Sequence, residues 1–162
     1  MPPPNATLYM LCGKIASGKS TLAAELGEKE KTIVISEDRW IEQLYPSEIR
    51  KLADYFQRSE RLRKTLAPHI VGVLRAGVSV VLDFHANTVV SRQWMRGMFE
   101  QGQASHELHF LDVSDAVCRA RMHARRALGL SYGLSDAEFD HVTSFFVAPQ
   151  PSEGFNLIRH GG

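Results

Sequence analysis

Short apolar runs alternate along this chain with stretches whose apolar residues recur at helical spacing. TLYMLC at 7–12, TIVIS at 32–36, VSVVLDF at 78–84, HELHFLDV at 106–113 and FNLIRH at 155–160 each read as a strand. Runs of this length, rich in β-branched and aromatic residues and bounded by turn residues, fit strands buried on both faces. Between the first two, KSTLAAELGEKE sets Leu22 and Leu26 one helical turn apart, and EDRWIEQLYP predicts a short helix or loop stopped by Pro46. Ser47 is expected to cap a long helix whose Ile49, Leu52, Phe56, Leu62 and Leu66 recur at mostly helical intervals. Pro68 is expected to break or kink it and to open a second helix ending at Gly77. SRQWMRGMFEQG, then SDAVCRARMHARRALG from Ser114 to Gly129, then Asp136 to Phe146 supply three more helices. Strands alternating with helices predict an α/β fold: a parallel sheet covered on both faces in three layers. No repeat, low-complexity segment or second domain interrupts the pattern, so 1–162 reads as one domain with a proline-stiffened tail at 1–6.

The turn between the first strand and the first helix carries the sharpest chemical signal. In LCGKIASGKSTLA, Gly13 is followed by Lys14, Ile15, Ala16 and Ser17, then by Gly18, Lys19, Ser20 and Thr21. Two glycines at this spacing let the backbone wrap closely, so that successive N–H groups point at phosphate oxygens, and the following helix adds its N-terminal dipole. Lys19 then neutralises the β- and γ-phosphates and Ser20 offers its hydroxyl to Mg²⁺. The strand before and the helix after are the context that makes this loop a nucleotide site.

In a parallel sheet, groups at the carboxyl ends of the strands share a crevice with that loop. Asp83 closes VSVVLD and suits a carboxylate that holds Mg²⁺ directly or through water. Asp38 follows the second strand, where a carboxylate can orient an acceptor hydroxyl and take its proton; capping the RWIEQLY helix is the competing role. Glu37 reads as a second acceptor-side carboxylate, and His85 and Asn87, just beyond Asp83, as groups that could hydrogen-bond an acceptor. CRARMHARR at 118–126 places Arg121 and Arg125 on one helix face and Arg119 and Arg126 on a roughly opposite one. Val117, Ala124 and Leu128 put the core-facing stripe near Arg121, so Arg121 and Arg125 are expected to close over a transferring phosphoryl group, with Arg126 in reserve. ALGLSYGLSD after them reads as a segment able to move as a lid.

Composition narrows the partners. The 162 residues carry 19 basic and 18 acidic side chains, a formal charge of +1, which argues against long nucleic acids as acceptors. Cys12 and Cys118 lack metal-ligand spacing and read as reduced thiols, and no signal peptide or membrane span is apparent, so a cytoplasmic protein is expected.

The order of phosphate loop, VISED, VVLDFHANT and CRARMHARR resembles the small P-loop kinases. Within these AAA-type ATP-binding, kinase-like proteins, it is most similar to the group containing zeta toxins and chloramphenicol phosphotransferase. The resemblance implies a P-loop NTPase fold with a five-stranded sheet in the order 2-3-1-4-5 and a helical lid. It also implies Asp38 as the catalytic base, Arg121 and Arg125 as lid arginines, and acceptors bound beneath the segment after strand two. Trp40, Tyr45, Tyr55 and Arg63 would be walls of that acceptor site. Related gluconate- and shikimate-type kinases carry acid–any–acid where this chain reads Ser36-Glu37-Asp38, which shifts the metal duty to Ser20 and Asp83.

The expected activity is transfer of the γ-phosphate of Mg·ATP to a hydroxyl of a small molecule (a metabolite, sugar derivative or antibiotic) by a monomer or homodimer. A nucleotide-driven switch acting on a protein partner, and a nucleotide or polynucleotide kinase, are the alternatives. Glu37, Asp38, Glu42, Glu48 and Asp54 in the acceptor region favour a cationic acceptor. Arg39, Arg50, Lys51, Arg58, Arg61 and Arg63 cancel that argument at the level of sequence.

Overall fold

The computed structural model describes residues 5–128 and 134–161. Five strands, β1 (Thr7–Cys12), β2 (Thr32–Ser36), β3 (Ser79–Asp83), β4 (Ser105–Asp112) and β5 (Leu157–Gly161), form one sheet in the order β2-β3-β1-β4-β5. Every neighbouring pair is parallel. The helices are α1 (Lys19–Gly27), α2 (Glu37–Leu44), α3 (Leu52–Arg75), α4 (Val89–Gln101), α5 (Asp115–Ala127) and α6 (Asp136–Thr143). None of them, among the described residues, is long and apolar enough to cross a membrane.

Central β1 explains the layering. Its Leu8, Met10 and Cys12 point to one face, where α3 and α4 contribute Leu62, Leu66, Ile70, Leu74, Met95 and Phe99. Tyr9 and Leu11 point to the other, against Ala23 and Leu26 of α1. This period-2 alternation with apolar residues on both sides is the signature of a strand covered on both faces. Strand order reverses about β1, and the crevice at its carboxyl end is where an open α/β sheet binds ligands. Ala6, assigned to the tail, is fully buried beside β1, and its carbonyl accepts from Ser105 N–H; residues 1–4 lie outside the described residues.

Expectations for three helices are corrected. Ser47 does not cap α3: it sits at φ 63° in a left-handed turn, and the helix starts at Leu52. There the Asp54 carboxylate accepts from the Arg50 and Lys51 N–H groups, doing the work of a cap. Pro68 neither breaks α3 nor opens a new helix; the 24 residues run through it. Both Pro68 and Lys64, whose carbonyl the missing N–H would have met, face solvent, while Leu62, Leu66, Ile70 and Leu74 on the opposite side stay packed. Phe56 of the expected stripe is exposed, and Tyr55 is buried in its place. On α5 the buried face is Cys118 and Met122 rather than the side of Val117 and Leu128, both exposed. α6 ends at Thr143, three residues short of the expected Phe146, because the next N–H groups tighten to bonds three residues back: Phe145 to Val142 and Phe146 to Thr143. Gly129 and the centre of the expected lid, 129–133, lie outside the described residues.

Candidate active site

The loop between β1 and α1 is folded by three local requirements. Ala16 (φ 62°) and Gly18 (φ 102°) adopt left-handed conformations that turn the chain into α1. Gly13 has no room for a side chain, since a Cβ there would lie 2.4 Å from Ser17 Oγ. Asn87, from the loop after β3, clamps the first glycine at both ends. Its Oδ1 accepts from Gly13 N–H at 2.9 Å, and its Nδ2 donates to Gly13 C=O at 2.8 Å. Asn87 therefore positions the loop, and it also borders the large cleft described below. Lys14 is tied to Asp115 at 2.6 Å and lies over the Phe146 ring.

Lys19 Nζ donates to the carbonyls of Gly13 (2.6 Å) and Lys14 (2.8 Å) and is buried in the cradle. Burial lowers its pKa to about 8, with Asp83 the largest opposing influence. Ser17 Oγ, also buried, has no hydrogen-bond partner among the described residues. An ammonium, an unpaired hydroxyl and the N-terminus of α1 converging on one concavity are suited to a polyphosphate. Cys12, immediately before the loop, is a buried free thiol that burial pushes up to about 12, so it stays protonated and inert.

Carboxylates arrive from the strand ends. The β2–β3 register sets Ser36 opposite Asp83, which brings the first turn of α2 beside β3. Asp83 Oδ2 accepts from Ser20 Oγ at 3.1 Å, and burial raises the Asp83 pKa. A hydroxyl and a carboxylate together fit a hard cation that draws its remaining ligands from phosphate and water. Among the described residues no three His, Cys, Asp or Glu side chains gather to hold a metal.

Asp38 is exposed on the first turn of α2, with the Tyr55 hydroxyl 2.5 Å from its Oδ1. Its neighbour Glu37 is 1% exposed and fully engaged. It accepts from Ser59 Oγ (2.9 Å) and Arg63 Nε (2.8 Å), and the Tyr55 hydroxyl is 3.1 Å away. Burial drives the Glu37 pKa up, yet Arg63 and the hydrogen bonds together hold it below the ordinary value. Glu37 is thus an internal brace between α2 and α3, at the edge of the cleft described below. Arg63 is fixed equally firmly, packed over the Phe84 and Trp94 rings and donating to Ser91. His85 lines the same space, and burial and the Lys19 charge lower its pKa to about 4, so its imidazole is neutral at pH 7.

The arginines of α5 divide as their spacing predicts. Arg121 Nη1 is 3.4 Å from the carbonyls of Ala16 and Ser17, over the loop. Arg121 and Arg125 border a hollow of about 410 Å³ with Thr21, Leu22, Glu25 and His160. Arg119 turns away to Asp140, and His123 to Asp136.

A larger cleft of about 1310 Å³ opens on the other side of the loop. Lys19, Ser20, Asp38 and Asp83 all border it, as do Tyr45, Tyr55 and Arg63, while Trp40 does not. Sequence reading missed Ser59 and the bracing role of Tyr55. The spacing of Tyr55, Ser59 and Arg63, one turn apart on α3, is the signal that could have found them.

A family model described as an AAA domain matches residues 8–149. No curated protein matches the chain significantly. Similar solved structures include a candidate kinase from Chloroflexus aurantiacus, 18% identical with a TM-score of 0.78, covering 99% of this chain and 87% of that one. Mycobacterium tuberculosis APS kinase CysC, in complex with AMPPNP and APS, is 21% identical, with a TM-score of 0.63 and coverage of 98% and 90%. Chaetomium thermophilum Kti12 in complex with ADP-AlF3 is 16% identical, with a TM-score of 0.72 and coverage of 95% and 88%. At these identities the likeness establishes a P-loop kinase-like fold.

Proposed function

We propose that this chain, which belongs to the AAA domain family, is a phosphotransferase that moves the γ-phosphoryl group of ATP to a hydroxyl of a small molecule. The observation that carries the reading is the position of Asp38. It stands where the phosphate loop meets the large cleft, sharing that cleft with Lys19, Ser20 and Asp83. A switch that hydrolyses ATP without an acceptor has no need of a second, larger space beside the γ-phosphate position. The structures bound to AMPPNP and to ADP-AlF3 support the loop as the nucleotide side. The finer likeness to zeta toxins and chloramphenicol phosphotransferase rests on the order of motifs along the chain.

In this reading the loop N–H groups and Lys19 hold the β- and γ-phosphates, and the hollow beside Arg121 and Arg125 takes the rest of the nucleotide. Ser20 and Asp83 are the side chains that would hold Mg²⁺, which would supply charge neutralisation to the phosphates. Asp38 accepts the hydroxyl proton as the acceptor oxygen bonds to phosphorus and the bond to the β-phosphate oxygen breaks, releasing ADP. Arg121 and Arg125 stabilise the charge on the transferring group.

The test is ADP formation across a panel of hydroxylated metabolites, sugar derivatives and antibiotics, with mass spectrometry of the product. Acceptor-dependent turnover with a gain of one phosphoryl group is expected; hydrolysis indifferent to every acceptor would overturn the reading.

Lys19 adds a pH dependence. Phosphate favours the ammonium, whose pKa in the free protein is about 8. Below that value the ammonium is already present. Above it, binding must take up a proton, so affinity should weaken by up to about tenfold per pH unit. Dissociation constants for a non-hydrolysable ATP analogue measured across this range check the sign. Lys19→Met should bind more weakly and lose the alkaline decline, and a flat wild-type profile well above pH 8 would contradict the account.

A further inference from the structure

We propose that the acceptor is a cation: a small alcohol bearing a protonated amine and an apolar face. The inference rests on the phosphotransferase reading and names the substrate class of the same cleft.

Geometry removes the cancellation of charges seen in sequence. Of Arg39, Arg50, Lys51, Arg58, Arg61 and Arg63, all described, Arg63 is the one that borders the cleft. Its guanidinium is already committed to Glu37 and Ser91 and packed over the Phe84 and Trp94 rings. Arg58 pairs with Glu48 and lies over the Tyr45 ring. The other bases on the cleft are Lys19, held in the phosphate loop, and Arg125, shared with the nucleotide-side hollow. Among the described residues, then, the lysine and arginines on the cleft lie in the phosphate loop, in the Glu37 brace or beside the nucleotide-side hollow.

The acids are distributed the other way. Asp38 and Glu42 of α2 and Tyr45 just past its end are spaced one turn apart and all border the cleft; on α3, Phe56 and Glu60 do the same. Glu42 and Glu60 are exposed, and among the described residues neither makes an ion pair. Phe56 (48% exposed) and Phe145 (57%) add apolar surface to the lining of the same cleft. Carboxylates flanked by aromatic rings attract an ammonium and its hydrocarbon body together. A phosphorylated or carboxylated acceptor would meet Asp38, Glu42 and Glu60 on the walls of α2 and α3, and like charges repel it.

The test compares a matched series: an aryl amino alcohol, its neutral N-acetyl derivative and the corresponding hydroxy acid. Wild-type protein should show the highest kcat/KM for the amine and the lowest for the acid. Glu42→Gln and Glu60→Gln, both at exposed positions, should each lower the amine-to-N-acetyl ratio of kcat/KM by about tenfold. The change should fall mainly on KM, since neither group reaches the reacting atoms. Equal use of the amine and the acid, or an unchanged ratio in both variants, would overturn the charge assignment while leaving the phosphotransferase reading intact. Transfer to none of the three, nor to any alcohol of the wider panel, would overturn both.

Discussion

Asp38→Asn is expected to lower kcat for acceptor phosphorylation at least about a hundredfold, while nucleotide binding stays within about threefold of wild type. The amide preserves size and keeps an oxygen for the Tyr55 hydroxyl, which lies 2.5 Å from Asp38 Oδ1. What it loses is the capacity to take a proton. A positioned general base contributes roughly 10²–10⁴ in rate. The loose transition state of phosphoryl transfer places little demand on full deprotonation, which favours the lower end. Nucleotide binding is spared because its contacts come from the loop and α1, not from α2. A second effect fixes the interpretation. Asp38 is one of the charges that hold the Lys19 pKa up against burial. Removing it should therefore move the alkaline weakening of nucleotide affinity to lower pH. Single-turnover rates with a saturating acceptor and affinities for a non-hydrolysable ATP analogue measure the two parts separately. A kcat within tenfold of wild type would remove Asp38 from the base role. Tyr55→Phe, which leaves the carboxylate in place, should cost far less.

Local patterns made much of this protein legible before its structure. β1 and β2 occupy the residues that their apolar runs predict, 7–12 and 32–36, and the other three strands differ by one or two residues at their ends. The phosphate loop was readable because its glycines, lysine and serine act through backbone geometry confined to one turn. What the sequence left unread concerns partners distant along the chain. Nothing near Glu37 announces that Tyr55, Ser59 and Arg63, 18 to 26 residues away, will surround its carboxylate. Asn87 reads as a free polar group until strand order brings its loop against Gly13, 74 positions earlier. Pro68 reads as a helix breaker because local propensity ignores the packed face opposite it. On α5, alanine and valine spacing pointed to the wrong stripe, since the burial of Cys118 and Met122 depends on Phe139 of α6 packing against them. Propensity and period describe single elements, and the site is made where elements meet.

Arg92→Met should destabilise the protein by about 3–5 kcal/mol, the range for breaking a buried ion pair by removing one partner. Arg92 is 0% exposed on α4. Its Nε donates to Glu153 Oε1 at 2.8 Å, and its Nη1 donates at 2.9 Å to the carbonyls of both Ala86 and Val147. Burial pushes the Glu153 pKa up, but its hydrogen bonds to Arg92 and to the Gln150 N–H, with the charges of Arg92 and Arg96, hold it below the ordinary value. Methionine fills much of the volume but leaves a largely buried carboxylate and two carbonyls without their donor. Arg92→Met/Glu153→Gln removes the stranded charge, so it should recover part of the loss, and the shift in urea midpoint between the two variants reports how much. The brace also reaches the site. Val147 N–H donates to Asn87 C=O at 2.8 Å, and the Asn87 amide clamps Gly13. Under conditions where Arg92→Met is still folded, it should therefore bind the ATP analogue more weakly than wild type, as Asn87→Ala should with less loss of stability. A midpoint shift equivalent to less than about 1 kcal/mol would mean that the buried guanidinium is not bracing the loop, and the route from α4 to the phosphate cradle would fail with it.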